Sequence, residues 1–438
     1  MSLEFGTYLA QGETVLELEE VDAGIFEGEI LIYSGLDSGQ HSALVVPRNE
    51  DDDEGEPVEV GYTVSFEAGS EASWEINKET GPGQVSSIAV FPDPDGDVVE
   101  FYSSGEGKSR CRLRRRDKGG VWKGDAQVLP GVECKAIDIT ISDDGSIALL
   151  LSRFIDGEWS WWLAKMPSWD AELETVGSGS KDEVAYALAE WEGTLAVCGS
   201  APTLEPTDLT DVMVRVYRPG FIGLSENPDY VPLGKKAHRF SETARGCSFT
   251  STSSLLLVGE AYGRHEGQQP EKRNRAFDLV YDLANDDYEF RVAEAGFTTQ
   301  SFATDVDVSA DGRAVISGYL CNDNCQESEA YLQVFDEDGN LSWETSTGFH
   351  AIPTFATHVV RWSPANYIVI ASNGTLGLET SFFLRAYAPG DSEPVWTYSR
   401  EDLNVFNLAK SLAIGTFGEV YAGGSGENGF PVFVIVQG

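Results

Sequence analysis

The stretch that most constrains this chain is residues 303–345, ATDVDVSADGRAVISGYLCNDNCQESEAYLQVFDEDGNLSWET. TDVDVS alternates apolar and polar residues, ADGR turns the chain, and AVISGYL follows as a short apolar run. After a loop with two cysteines, AYLQVF resumes the alternation and EDGN turns into LSWET. Period-two alternation places one face of a strand against a core, and Asp-Gly between two such runs is a hairpin signal. The segment therefore reads as a four-stranded meander, strands A to D. A sheet of about 45 residues cannot bury both of its faces alone, so copies of it are expected elsewhere in the chain.

The copies fill the sequence. The second strand of each unit tends to end in a small-residue pair, and the marker falls at Gly35, Gly105, Arg153 (after Ser152), Gly199, Gly259, Gly318, Ser372 and Gly423, which gives eight units. The long step between the first two is explained by RNEDDDEGEPV at 48–58, a charged stretch expected to be a solvated loop insertion. Beyond it, Tyr62 to Trp74 repeats the spacing of Tyr331 to Trp343, and Trp396 repeats it again. An outer-strand Trp recurring at one offset is expected to pack between neighbouring sheets. Unit 8 supplies a third strand, PVFVIVQ, and no fourth, whereas LEFGTYLAQ at 3–11 belongs to no unit. Pairing of 3–11 with 432–436 would close a ring and remove an exposed sheet edge. The expectation is an all-β chain in which residues 1–438 form one propeller domain of eight four-stranded antiparallel blades. Seven blades with an N-terminal β appendage is the alternative, disfavoured because the Tyr62 to Trp74 match makes unit 1 complete.

D-[IV]-x-[IV]-S-x-D-G, then AVISG, then a strand ending D-x-D-G-N-x-x-W resembles the β-propeller repeats of bacterial secreted and lipoprotein-type proteins. It is also similar to the PQQ-like repeat, whose outer strand carries a Trp after a D-x-x-G turn. The quinoprotein dehydrogenases of that superfamily use two adjacent cysteines near the cofactor, and no two cysteines are adjacent here. The resemblance therefore implies a fold and no quinone, and a fold assigns no role.

Composition narrows the partners. Asp and Glu number 72 against 30 Lys and Arg, a formal charge of -42, which repels phosphate backbones and anionic membrane surfaces. Nucleic acid is not an expected partner, no stretch of 18 apolar residues spans a membrane, and a monomer is expected. Six cysteines, Cys111, Cys134, Cys198, Cys247, Cys321 and Cys325, show no zinc-site spacing. They favour disulfides and an extracellular or periplasmic location, with a local Cys321 to Cys325 bridge conceivable. The opening MSL is compatible with a removed leader. No metal or other cofactor is expected: DPDGD, SDDGS, SADGR and DEDGN lack the twelve-residue calcium-loop ligand set and read as hairpin turns.

Two constellations stand out. In propellers the loops joining D to the next A, and B to C, share one face. That would bring GKKAHRFSETAR, with Lys235, Lys236, His238, Arg239 and Arg245, beside GRHEGQQPEKRNR, with Arg264, His265, Lys272, Arg273 and Arg275. Such a cationic cluster on an acidic protein suits a carboxylate, sulfate or phosphate ligand, or local neutralisation of the surface. A third basic run, RCRLRRRDK at 110–118, reads as an exposed, salt-bridged flank. The second constellation is axial. Asp138 and Asp305 fall at one offset before the turn glycine, near the start of an innermost strand, with His358 at a similar level. They could act as acid and base, or each Asp could accept N–H bonds from the neighbouring blade. Trp159 and Trp161 in GEWSWWLAK share a strand face and suit the core between blades.

No GxSxG, HExxH or phosphate-loop signature is present. The expected function is a non-enzymatic ligand- or protein-binding scaffold acting at the loop-rich face. The competing expectation is a hydrolase or lyase for an anionic glycan or small ester, using Asp138, Asp305 and His358.

Overall fold

The computed structural model describes seven strands between residues 2 and 76 by their backbone. From residue 83 to 436 it describes the chain apart from 219–239, 264–272, 351–358, 401–407 and shorter loop segments. It is a β-propeller of seven blades. Blades 1 to 6 start with innermost A strands at Gly83–Val90, Glu133–Ile141, Val184–Trp191, Phe240–Ser251, Thr299–Val308 and Val359–Trp362. Blade 7 starts at Leu408–Ile414. Each A strand touches the next, and the A strand of blade 7 returns to that of blade 1.

The predicted eight blades give way to seven, and the closing strand is not 3–11. Ser2–Phe5 pairs with Thr14–Glu17 and Gly39–Arg48, in a separate sheet that continues to Val58–Val64. Ala72–Ile76 leaves that sheet and supplies the fourth strand of blade 7, with Val434 opposite Trp74. The Tyr62 to Trp74 repeat was thus a true outer-strand signature assigned to the wrong blade. A strand pairs by edge geometry, and its sequence pattern says nothing of which edge it joins. Pairing Ala72–Ile76 with Pro431–Val436 covers the outer edge of the latter strand and fastens the ring at the seam.

The cores lie between blades. Trp343 packs partly buried on a cluster from blades 5 and 6, including Val315, Leu332, Val360 and Tyr387, and Trp396 packs likewise between blades 6 and 7. Trp161 is buried between blades 2 and 3. Trp159, predicted to share that core, instead lies half-buried against Phe154, with Lys135 over its ring. The basic run at 110–118 is salt-bridged, but only its end at Lys118 is exposed: Arg116 is buried against Glu100, Arg114 is buried on Asp125 and over the Tyr102 ring, and the half-buried Arg115 reaches Asp97. Alternate residues of a C strand face the next blade, so half of this run had to go inward.

Six A strands carry a β-bulge at one place, between 85 and 87, 136 and 138, 185 and 187, 244 and 246, 303 and 305, and 409 and 411. A bulge bends its strand and turns the extra residue out of the ladder. It also explains the small residues that end strand B. A Cβ on Gly199 would lie 1.9 Å from the Val184 carbonyl oxygen, and one on Gly259 1.9 Å from that of Thr243, each just before the bulge.

Disulfides join Cys111 to Cys134, and Cys198 to Cys247. The first links strand C of blade 1 to strand A of blade 2, and the second strand B of blade 3 to strand A of blade 4. Cys321 is also disulfide-bonded, and Cys325 lies outside the described residues. Two disulfides between blades point to an oxidising, non-cytoplasmic compartment. Closing loops of 23 and 49 residues should stabilise by about 3 and 4 kcal/mol on the chain-entropy account. The double variant Cys198→Ser/Cys247→Ser is expected to lose most of the larger figure in denaturant unfolding; an unchanged midpoint would exclude the bridge as a staple. Among the described residues no helix is long and apolar enough to cross a membrane.

Candidate functional site in the central channel

The seven A strands enclose an axial cavity of about 320 Å³, lined by residues of every blade. An A strand bonds strand B along one edge only, so the N–H groups of its other edge face the channel without a ladder partner. Such groups need acceptors if they are not left to water. Asp side chains from the adjacent blade provide them.

Asp138 lies directly after its bulge, well inside the strand and not near its start. Its Oδ2 accepts from the Leu188 N–H of blade 3 at 2.8 Å. Its Oδ1 accepts from the Ser87 hydroxyl of blade 1 at 2.6 Å and from the Ile139 N–H at 2.9 Å. One carboxylate thus joins three blades. Burial raises its pKa, opposed by those hydrogen bonds and by Arg361.

Asp305 holds the same place in blade 5. Its Oδ2 accepts from the Val360 N–H at 3.0 Å and from Arg361 Nη1 at 2.6 Å. Asp307, two residues on and thus on the same face, accepts from the Trp362 N–H at 2.7 Å. Burial raises the Asp307 pKa against the pull of Arg361. For Arg361 burial works to lower the pKa, but Asp305, Asp307 and Asp138 outweigh it and raise it. The Arg361 side chain keeps 31 % of its surface open. Here the channel sets three carboxylates, Asp138, Asp305 and Asp307, about the Arg361 guanidinium, held by N–H bonds between blades.

Sequence spacing brought Asp138 and Asp305 together correctly. Arg361 and Asp307 were missed, although both fall two residues after the aligned position that Asp305 occupies. Counting two residues on from that position in every blade would have found them. His358 lies outside the described residues.

Of the cationic cluster, Lys235, Lys236, His238, Arg239, Arg264, His265 and Lys272 lie outside the described residues, and Arg273 opens the strand Arg273–Asp282. Arg245 and Arg275 are strand residues, not loop residues. Arg275 is 2 % exposed on strand C of blade 4. Arg245 is the bulge residue of blade 4; it reaches Glu260 at 3.1 and 2.5 Å and stacks 4.3 Å over the Tyr186 ring. Among the described residues no three His, Cys, Asp or Glu side chains converge to hold a metal ion.

No family model matches this sequence, and no curated protein does. Several solved structures are similar. A protein of unknown function from Dyadobacter fermentans is 15 % identical, with a TM-score of 0.44, over 84 % of this chain and 97 % of its own. An apocarotenoid oxygenase variant from Synechocystis is 11 % identical, with a TM-score of 0.39, over 60 % and 61 %. A mannose phosphorylase from Leishmania mexicana, in complex with phosphate, is 14 % identical, with a TM-score of 0.34, over 61 % and 89 %. Likeness at this level carries no function to this chain.

Proposed function

We propose that this chain is a non-enzymatic binding propeller of an extracellular or periplasmic space, engaging an anionic ligand or a protein partner at its loop-rich face. What supports this reading most is how the channel carboxylates are spent. Asp138, Asp305 and Asp307 accept N–H groups of the neighbouring blade, and Asp305 also neutralises Arg361. A carboxylate committed to holding blades together is poorly placed to shuttle protons, because moving it breaks the ring's own hydrogen bonds. The ligand side of the proposal rests on Lys235, Lys236, His238, Arg239, Arg264, His265, Lys272 and Arg273, on a chain of charge -42. Their chemistry fits sulfated or uronic-acid glycans. In a calorimetric titration with such oligosaccharides, Lys236→Gln/Arg264→Gln/Arg273→Gln should bind at least tenfold more weakly than the parent. Equal binding, or none by the parent, removes the reading.

A second reading, hydrolysis or elimination on an anionic glycan or small ester, draws on Asp138 and Asp305 lining one cavity with Arg361. Turnover abolished in Asp138→Asn or Asp305→Asn at unchanged stability would favour it.

A further inference from the structure

We propose that the central channel binds a neutral polyol the size of one monosaccharide, held by the Arg361–Asp305 pair and the hydroxyls that share its cavity. Ligand pockets run from about 300 to 1,000 Å³. At about 320 Å³ this one suits a single sugar ring and no longer chain. Arg361 lines the cavity with 31 % of its side chain open. Its Nη1 serves Asp305 and the Val360 carbonyl oxygen. Nε and Nη2 have no partner among the described residues, and together they form one edge of the guanidinium fork, which fits two neighbouring oxygens.

Acceptors and further donors line the same space. Asp305 uses Oδ2 for blade 6 and keeps Oδ1 without a partner among the described residues, with 18 % of its side chain open. A vicinal diol can therefore accept from the arginine edge and donate to Oδ1. Thr140 and Ser248, half-buried on blades 2 and 4, add hydroxyls that have no partner among the described residues. Backbone supplies the rest. Where blades 2 and 5 carry Asp138 and Asp305, blades 3, 4 and 6 carry Ala187, Gly246 and Val359. The inner N–H groups one blade on, of Cys247, Val306 and Leu412, thus meet no carboxylate at that place, and all three residues line the cavity. Gly246 leaves no room for one: a Cβ there would lie 2.9 Å from the Asp305 Cα.

Charge selects a neutral ligand. Three carboxylates stand about one guanidinium, so an anion meets no surplus positive charge. Among the described residues no three His, Cys, Asp or Glu side chains converge to hold a cation. Saturation-transfer NMR and calorimetric titration of the wild-type chain with D-glucose, D-galactose and myo-inositol test this. At least one should bind once per chain. Arg361→Lys, which keeps a cation for the carboxylates and loses the fork, should weaken that binding at least tenfold. So should Ser248→Leu, which fills the cavity and breaks no side-chain bond between blades among the described residues. Lys236→Gln/Arg264→Gln/Arg273→Gln should bind the same polyol as the parent does, so this site and the loop site fail separately. In that loop variant, D-glucuronate and D-galacturonate should bind at least tenfold more weakly than the neutral sugars. Binding of none of the three polyols, equal binding of a uronate, or unchanged binding in either channel variant that stays folded overturns the proposal.

Discussion

Asp305→Ala should lower the unfolding free energy by about 3 kcal/mol. The variant deletes the acceptor of the Val360 N–H and the partner of Arg361 in a single step. Breaking one side of a buried ion pair costs about 3 to 5 kcal/mol, mostly because the other charge is left without compensation. Here Arg361 keeps 31 % of its side chain open and retains Asp307 and Asp138 nearby, which places the loss at the lower end. Asp305→Asn keeps an acceptor and loses the charge, so about 1 to 2 kcal/mol is expected. Arg361→Met in the Asp305→Leu background should restore only part of the loss, since the uncompensated guanidinium is gone but Asp307 and Asp138 lose its charge and the Val360 N–H still lacks its acceptor. Urea unfolding followed by tryptophan fluorescence reads all three. A wild-type midpoint for Asp305→Ala would mean that this carboxylate does not hold blades 5 and 6 together, and it would return Asp305 to the pool of residues free for chemistry.

Glu242→Gln should stabilise the protein at pH 8 and leave it nearly unchanged at pH 4.5. Glu242 is 2 % exposed on strand A of blade 4. Burial, and then the nearby charge of Asp211, raises its pKa from 4.5 to about 8. Between those two pH values the native chain holds a proton that the unfolded chain has released. Stability therefore falls as pH rises through this window, and the contribution is fully lost above pH 8. The full span corresponds to on the order of 4 kcal/mol. Asp278, raised by burial from 3.8 to about 6 against the pull of Arg291, adds a smaller loss of the same sign at lower pH. Glu242→Gln should flatten the wild-type decline between pH 5 and 8; an unaltered slope would show that Glu242 is solvated or paired in solution.

Much of this architecture is legible in the chain because each blade is local. A meander such as 303–345 needs only period-two alternation and Asp-Gly turns, and Gly312 and Gly339 adopt the positive φ of 87° and 78° that those turns require. The outer-strand Trp residues and the paired Asp138 and Asp305 were legible for the same reason, since a repeat places equal offsets at equal heights. Arg116 and Arg275 were not: charge in a sequence reads as surface, and only the stacking of a neighbouring blade buries it.

What the sequence determined by itself is the unit: four short strands, a Trp at the outer edge, an Asp on the innermost strand and cysteines suited to an oxidising space. Tertiary structure decided the number of units and what their inner edges do. Ala72–Ile76 could have completed its own sheet or another, and it joined the strand Pro431–Val436. Pairing between segments so far apart is set by ring closure, which no local pattern encodes. Packing of consecutive blades, which no local pattern encodes either, places Asp305 against Arg361, 56 residues on. The bulge that precedes Asp305 is a property of a strand bent around a shared axis.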